Sequence, residues 1–101
     1  MIRSFRHTGL REYWETRKSR RLNPQWLKRI WARLVVLDAA ASLEEIDLPG
    51  FRLHQLSGER AGTWAINVAG NYRITFRPAF DQEAESDEAF DVWDVDLEEY
   101  D

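Results

Sequence analysis

The residues with the most chemical potential lie in "FRLHQLSGERAGTWAINVAGNYRITFR", Phe51 to Arg77. This stretch holds His54, one of two histidines in the chain, with Arg52, Arg60, Arg73 and Arg77. Its apolar residues recur at every second position, and strand side chains alternate faces with that period. Trp64, Ile66 and Val68 share one face, and Tyr72, Ile74 and Phe76 form the matching set. Phe51 and Leu53 look toward the same core, which sends Arg52, His54, Arg73 and Arg77 to the opposite, open face. Guanidinium groups around one imidazole could bind a phosphate, stabilise a phosphorus centre as charge builds on it, and move a proton near neutral pH. Three readings fit. The face is a solvated sheet surface whose arginines pair with Asp94 and Asp96 on a last strand, as cross-strand charges commonly do. Or it is a phosphate-binding surface without chemistry. Or it is a nuclease site that needs no metal. His7, at a strand-to-helix junction, is given no role.

The elements that must position these groups read as α+β. "MIRSF" alternates as a first strand, and Thr8 is placed to cap a short helix through Arg17 with Leu10, Tyr13 and Trp14 on one side. "RKSRR", Arg17 to Arg21, is a basic loop. Asn23 followed by Pro24 is a helix start signal. Leu27, Ile30, Trp31, Leu34 and Leu37 then recur at spacings of three and four, one face of a helix ending near Ala41, with Lys28, Arg29 and Arg33 off that stripe. After a connector closed by Pro49-Gly50, strands are expected over Phe51–Leu56, Thr63–Val68, Tyr72–Arg77 and Phe90–Leu97. Two N-terminal helices followed by hairpin strands predict helices packed on one face of a small antiparallel sheet, in a single domain over residues 1–101.

Composition narrows the function classes. The 101 residues fit one modest core, helped by five tryptophans. With no cysteine, disulfides, thiolate metal sites and a cysteine nucleophile are excluded. No apolar run reaches the length of a membrane span, and "MIRSFRHTG" lacks the apolar middle of a signal peptide, so a cytoplasmic protein is expected. The net charge of −4 hides a split. Residues 1–77 carry all 14 Lys and Arg against 7 Asp and Glu, whereas residues 78–101 carry 11 Asp and Glu and no base. The basic body can attract a polyanion, and the acidic segment 78–89 is expected to be a mobile loop that competes for its arginines.

"MIRSFRHTGL", "LDAA", "DLPGFRLHQLSGERAGTWAINVAGNYRITFR" and the closing "VDLEEYD" resemble, in the same order over nearly the whole chain, the HigB-type plasmid-maintenance killer toxins of the RelE/ParE superfamily. The resemblance implies a small antiparallel sheet packed on two N-terminal helices. It implies cleavage of messenger RNA on the translating ribosome, with the RNA 2′-hydroxyl as nucleophile and neither metal nor cofactor. It also implies a helix-turn-helix, HigA-like antitoxin, through which alone the toxin reaches operator DNA.

By the same resemblance His54 would act in proton transfer and Arg73 would hold the scissile phosphate. Glu99, Tyr100 and Asp101 stand where the family ends in Asp-Tyr-His. Arg52, Arg60 and Arg77 would contact RNA, and Arg17, Lys18, Arg20 and Arg21 read either as a solvated loop or as a contact to ribosomal RNA. Two positions depart from the family pattern: Asp101 replaces the terminal histidine, and Ser57 replaces a lysine three residues after the motif histidine. Both remove positive charge, so a weakened or inactive binding module that still pairs with an antitoxin is the alternative. Inhibition of a protein target such as DNA gyrase fits less well with a retained His54. Trp14, Trp26 and Trp31 read as core or antitoxin-facing residues, not base-stacking ones.

Overall fold

The first helix is set by a residue the sequence leaves without a role. In the computed structural model, which describes residues 1–80 and 90–100, α1 spans Thr8–Thr16 and its N-cap is His7. The His7 Nδ1 accepts the Leu10 amide at 3.1 Å, satisfying an otherwise unpaired donor of the first turn. Thr8, expected as the cap, is already helical because its neighbour's imidazole reaches that amide first. Gly9 follows from a close approach: a Cβ there would stand 2.9 Å from the Arg21 Cβ and 2.8 Å from His7 Cε1. The helix ends at Arg17, whose left-handed backbone (φ 65°) lets its amide return to the Tyr13 carbonyl.

Asn23 and Pro24 start the second helix as expected, through one 3-10 turn over Pro24–Trp26 in which Asn23 accepts the Gln25 amide at 2.9 Å. It continues as α2, Leu27–Ala39. Ile30, Leu34 and Leu37 are fully buried, and they share one apolar cluster with Leu10, Ile66, Val68, Ile74, Phe76, Val92 and Val95. Arg33 corrects the sequence reading. It is 9% exposed instead of lying off the apolar stripe. Its Nε donates to the Asn67 carbonyl at 2.5 Å and its guanidinium carbon lies 4.4 Å from the Phe51 ring centroid.

Four antiparallel strands form one sheet in sequence order: β1 His54–Gln55, β2 Trp64–Ala69, β3 Tyr72–Phe80 and β4 Phe90–Glu99. The strand expected over Phe51–Leu56 shrinks to β1 because Arg52 takes a left-handed conformation (φ 51°) that breaks the extended run. The first expected strand is reduced to two parallel bridges on β4, Ile2 to Val92 and Phe5 to Val95. β2 and β3 pair as expected, Ile66 against Ile74 and Ala65 against Thr75, with Gly70 at φ 51° in the turn. The mobility expected of segment 78–89 falls largely outside the described residues; Pro78 and Ala79 belong to β3. Among the described residues no helix is long and apolar enough to cross a membrane.

Candidate active site

Pairing of β3 with β4 builds the open face. Arg73 lies opposite Glu98 and Thr75 opposite Asp96. The register then slips, so that Arg77 meets Trp93. At the slip Asp94 adopts φ 54°, a bulge that turns its carboxylate toward Arg77. The Arg77 Nε donates to Asp94 Oδ2 at 2.7 Å, and Ser4 steadies the bulge by accepting the Asp94 amide at 2.8 Å. One pair anticipated for a solvated face therefore forms. Among the described residues Asp96 makes no such pair; its side chain accepts the amide of Leu97.

Glu98 is the hub of the face. It accepts two hydrogen bonds from Arg60, at 2.7 and 2.6 Å, in a bidentate fork. It also accepts the Thr75 hydroxyl, and Arg73 Nη2 approaches Glu98 Oε1 at 3.9 Å. The Arg60 fork, the Thr75 hydroxyl and the Arg73 charge outweigh the cost of burial and hold the Glu98 carboxyl at about 2. The same fork raises Arg60 above its ordinary value.

The Arg73 side chain is 14% exposed. Its guanidinium carbon lies 4.3 Å from the centroid of the Tyr100 ring, and its Nε is buried with no hydrogen-bond partner among the described residues. Tyr100 stacks in turn on His54, with centroids 6.4 Å apart and planes 18° off parallel. The His54 Nδ1 lies 2.8 Å from the Arg52 carbonyl. A carbonyl only accepts, so Nδ1 is the donor in this bond, and the tautomer that keeps this proton has its unshared pair at Nε2. Imidazole, phenol and guanidinium thus share one end of the face, where a phosphate on Arg73 would have proton-transfer groups beside it.

The remaining sequence-derived candidates fall elsewhere. Glu99 pairs with Tyr72, which alternation places on the side of the sheet opposite Arg73 and Glu98, and it is exposed. Asp101 lies outside the described residues. The Arg52 side chain is exposed beside His54. Arg17, Lys18, Arg20 and Arg21 sit in the loop between the helices, where Arg17 stacks 3.6 Å from the Trp31 ring centroid and Arg20 meets Glu12 at 3.9 Å. Trp14 and Trp31 pack on one another, and Trp26 packs on Tyr72, all against the core cluster. Ser57 is exposed, yet a cation is supplied three residues later by Arg60. Among the described residues no group of three or more His, Asp or Glu is placed to hold a metal ion.

Sequence reasoning missed Glu98. The signal was available: in an antiparallel pair whose β4 residues alternate, the carboxylate on the Tyr100 side is Glu98, two positions away, and not the adjacent Glu99.

Residues 3–92 match the family model described as the HigB-like, RelE-like toxin of the type II toxin–antitoxin system HigB. The chain is 39% identical over 77 residues to the endoribonuclease HigB of Proteus vulgaris, covering 76% of this chain and 84% of that one. It also resembles the solved structure of a YoeB/ParE toxin from Agrobacterium tumefaciens, with a TM-score of 0.52 at 12% identity over 93% of both chains, a likeness of fold.

Proposed function

Because this chain belongs to the HigB-like toxins of type II toxin–antitoxin systems, we propose that it is an endoribonuclease that cuts messenger RNA on the ribosome, with His54, Arg73 and Tyr100 as its catalytic group. The observation that carries this reading is the convergence of these three side chains from β1, β3 and the end of β4. The name of the Proteus vulgaris relative supports the chemistry.

In the proposed step, His54 Nε2 takes the proton of a ribose 2′-hydroxyl as its oxygen attacks the neighbouring phosphorus. Arg73 neutralises the charge that grows on the phosphoryl oxygens. The bond to the 5′-oxygen breaks, and the Tyr100 hydroxyl gives that oxygen its proton. The products are a 2′,3′-cyclic phosphate and a 5′-hydroxyl. Arg73 is shielded from water by the Tyr100 ring, which strengthens its field on a bound phosphate. Glu98 holds Arg60 and faces Arg73, so we assign it the positioning carboxylate in place of Glu99. We read residues 1–101 as one toxin domain with both helices on the sheet face away from the arginines; the shared cluster of Ile30, Leu34, Ile66, Ile74 and Phe76 supports that placement.

A type II toxin has an antitoxin partner. We propose a helix-turn-helix protein that masks the open face or the helices and carries the pair to operator DNA. The test is induced expression without the antitoxin, scored by growth and by mapping the 5′ ends of messenger RNA fragments. Growth arrest with new 5′-hydroxyl ends inside translated codons is expected. Arrest without RNA cleavage, or a chain that binds its antitoxin and cuts nothing, overturns the endonuclease reading.

A further inference from the structure

Beside the catalytic group lies a second cationic recess that the proposed chemistry does not use. It is a cleft of about 200 Å³ whose walls come from four parts of the chain. Arg6 enters from the N-terminal segment, Arg60 from the loop after β1, and Arg77 from β3, with the Thr63 and Thr75 side chains between them. Glu59 and Asp94 complete the rim.

The three arginines differ in how they are held. Arg77 spends only its Nε on Asp94, and Arg60 spends one N–H from each terminal nitrogen on Glu98. A guanidinium has five donors, so each keeps N–H groups free while its carboxylate fixes its direction. Such fixing lowers the ordering cost of binding an anion. Arg6 is anchored through its backbone, whose amide donates to the Val95 carbonyl at 2.8 Å beside the Asp94 bulge. Among the described residues its side chain makes no hydrogen bond or ion pair. It is the uncommitted cation of the cleft.

Position gives the recess its meaning. Thr75 lines it and Arg73 does not, and the two stand two residues apart on one face of β3, a rise of about 7 Å. That is one nucleotide step of an extended RNA strand. We propose that Arg6, Arg60, Arg77 and Thr63 form a second phosphate subsite, which holds the RNA phosphate next to the one on Arg73. The inference rests on the endoribonuclease reading and adds Arg6 to its binding residues. The subsite fixes the register of the strand: with the neighbouring phosphate seated, the scissile phosphate can only lie on Arg73, within reach of His54.

The test couples a protein charge to a single RNA charge. Binding is measured to ribosomes programmed with messenger RNA whose scissile nucleotide carries a 2′-deoxy ribose, so that no cleavage occurs. Wild type, Arg6→Ala, Arg6→Lys and Arg73→Ala are compared on RNA bearing a neutral methylphosphonate at the scissile position or at either flanking one. Arg6→Ala is expected to fold normally, bind about tenfold more weakly and lower the salt slope by about one. A methylphosphonate at one flanking position should weaken wild type to the same extent and leave Arg6→Ala unaffected, with Arg6→Lys between them. If Arg6→Ala binds like wild type, or the two losses are independent at both flanking positions while Arg73→Ala still couples to the scissile phosphate, the subsite is overturned and the catalytic reading stands. If Arg73→Ala and the scissile methylphosphonate have no effect either, both readings fall.

Discussion

The guanidinium carbon of Arg73 lies 4.3 Å from the centroid of the Tyr100 ring, with the His54 ring stacked 6.4 Å from the same tyrosine. In the proposed step the C-terminal residue of this trio therefore has two separable roles. Its ring covers Arg73, and its hydroxyl is available for proton transfer. Tyr100→Phe keeps the ring and should retain RNA binding while cleavage falls on the order of 10²-fold, the scale of a lost general acid. Tyr100→Ala should lose cleavage and also weaken binding, since Arg73 is then exposed to water. Equal cleavage by wild type and Tyr100→Phe would remove the hydroxyl from the mechanism.

In the proposed step Arg73 and His54 carry different parts, so their variants should fail differently. Arg73→Ala removes charge stabilisation and phosphate attraction together. Single-turnover cleavage should drop about 10²- to 10³-fold with weaker binding. His54→Ala removes a proton acceptor and should lower cleavage about 10²- to 10⁴-fold with RNA affinity kept. Both variants should still bind antitoxin with their folds intact, checked by circular dichroism. Full toxicity in either would overturn its assignment.

How much of this was legible in the sequence depends on which contacts are local. The β2–β3 hairpin was readable because alternation and a glycine turn are local signals, and the order of helices and strands followed from periodicity. The convergence of His54, Arg73 and Tyr100 was reachable only through family resemblance, since it depends on strand pairing between residues as far as 46 positions apart in the chain. The Asp94 bulge leaves one mark in the sequence, the change of phase from Phe90 and Val92 to Val95 and Leu97, which reading Phe90–Leu97 as one regular strand passes over; the bulge is why Val92 and Val95, three apart, are both buried. Arg33 was misread because helical spacing cannot tell a solvated arginine from one that reaches a carbonyl on a neighbouring strand.

Glu98 links the site to acid stability. Its carboxyl is held at about 2 instead of the ordinary 4.5, first by the Arg60 hydrogen bonds. A carboxylate lowered in the folded protein stabilises it above the unfolded value, and this contribution disappears as pH falls through the folded value. Glu98→Gln should therefore melt several degrees below wild type at pH 7. The gap should narrow between about pH 4.5 and 2 and vanish below that range. Arg60 is 42% exposed, so solvent screening limits the contribution to about 1 kcal/mol. A melting difference unchanged from pH 7 to pH 2 would show that packing, not charge, is what Glu98 supplies. At neutral pH the same variant should bind RNA more weakly and cleave more slowly, because Arg60 and Arg73 lose their common anchor.

Arg33 makes the helices answerable for the site. Its Nε donates to the Asn67 carbonyl and its Nη1 to the Arg29 carbonyl, while its guanidinium rests on the Phe51 ring. The Asn67 amide in turn donates to the Phe51 carbonyl at 2.6 Å. Phe51 begins the short approach to His54, so α2, the edge of β2 and the His54 imidazole are joined through this one side chain. Burial, then the neighbouring Arg29 charge, lower the Arg33 guanidinium from its ordinary value, and among the described residues no carboxylate pairs with it. Arg33→Ala leaves a carbonyl without its donor and a void under Phe51, and should cost about 1–3 kcal/mol in chemical denaturation. Arg33→Met refills the void without a desolvated charge and should cost less than Arg33→Ala. It still releases the Asn67 carbonyl, so its cleavage rate should fall while its stability largely recovers. If Arg33→Met recovers stability and cleavage together, the guanidinium serves packing alone and the path from α2 to His54 does not run through its hydrogen bonds.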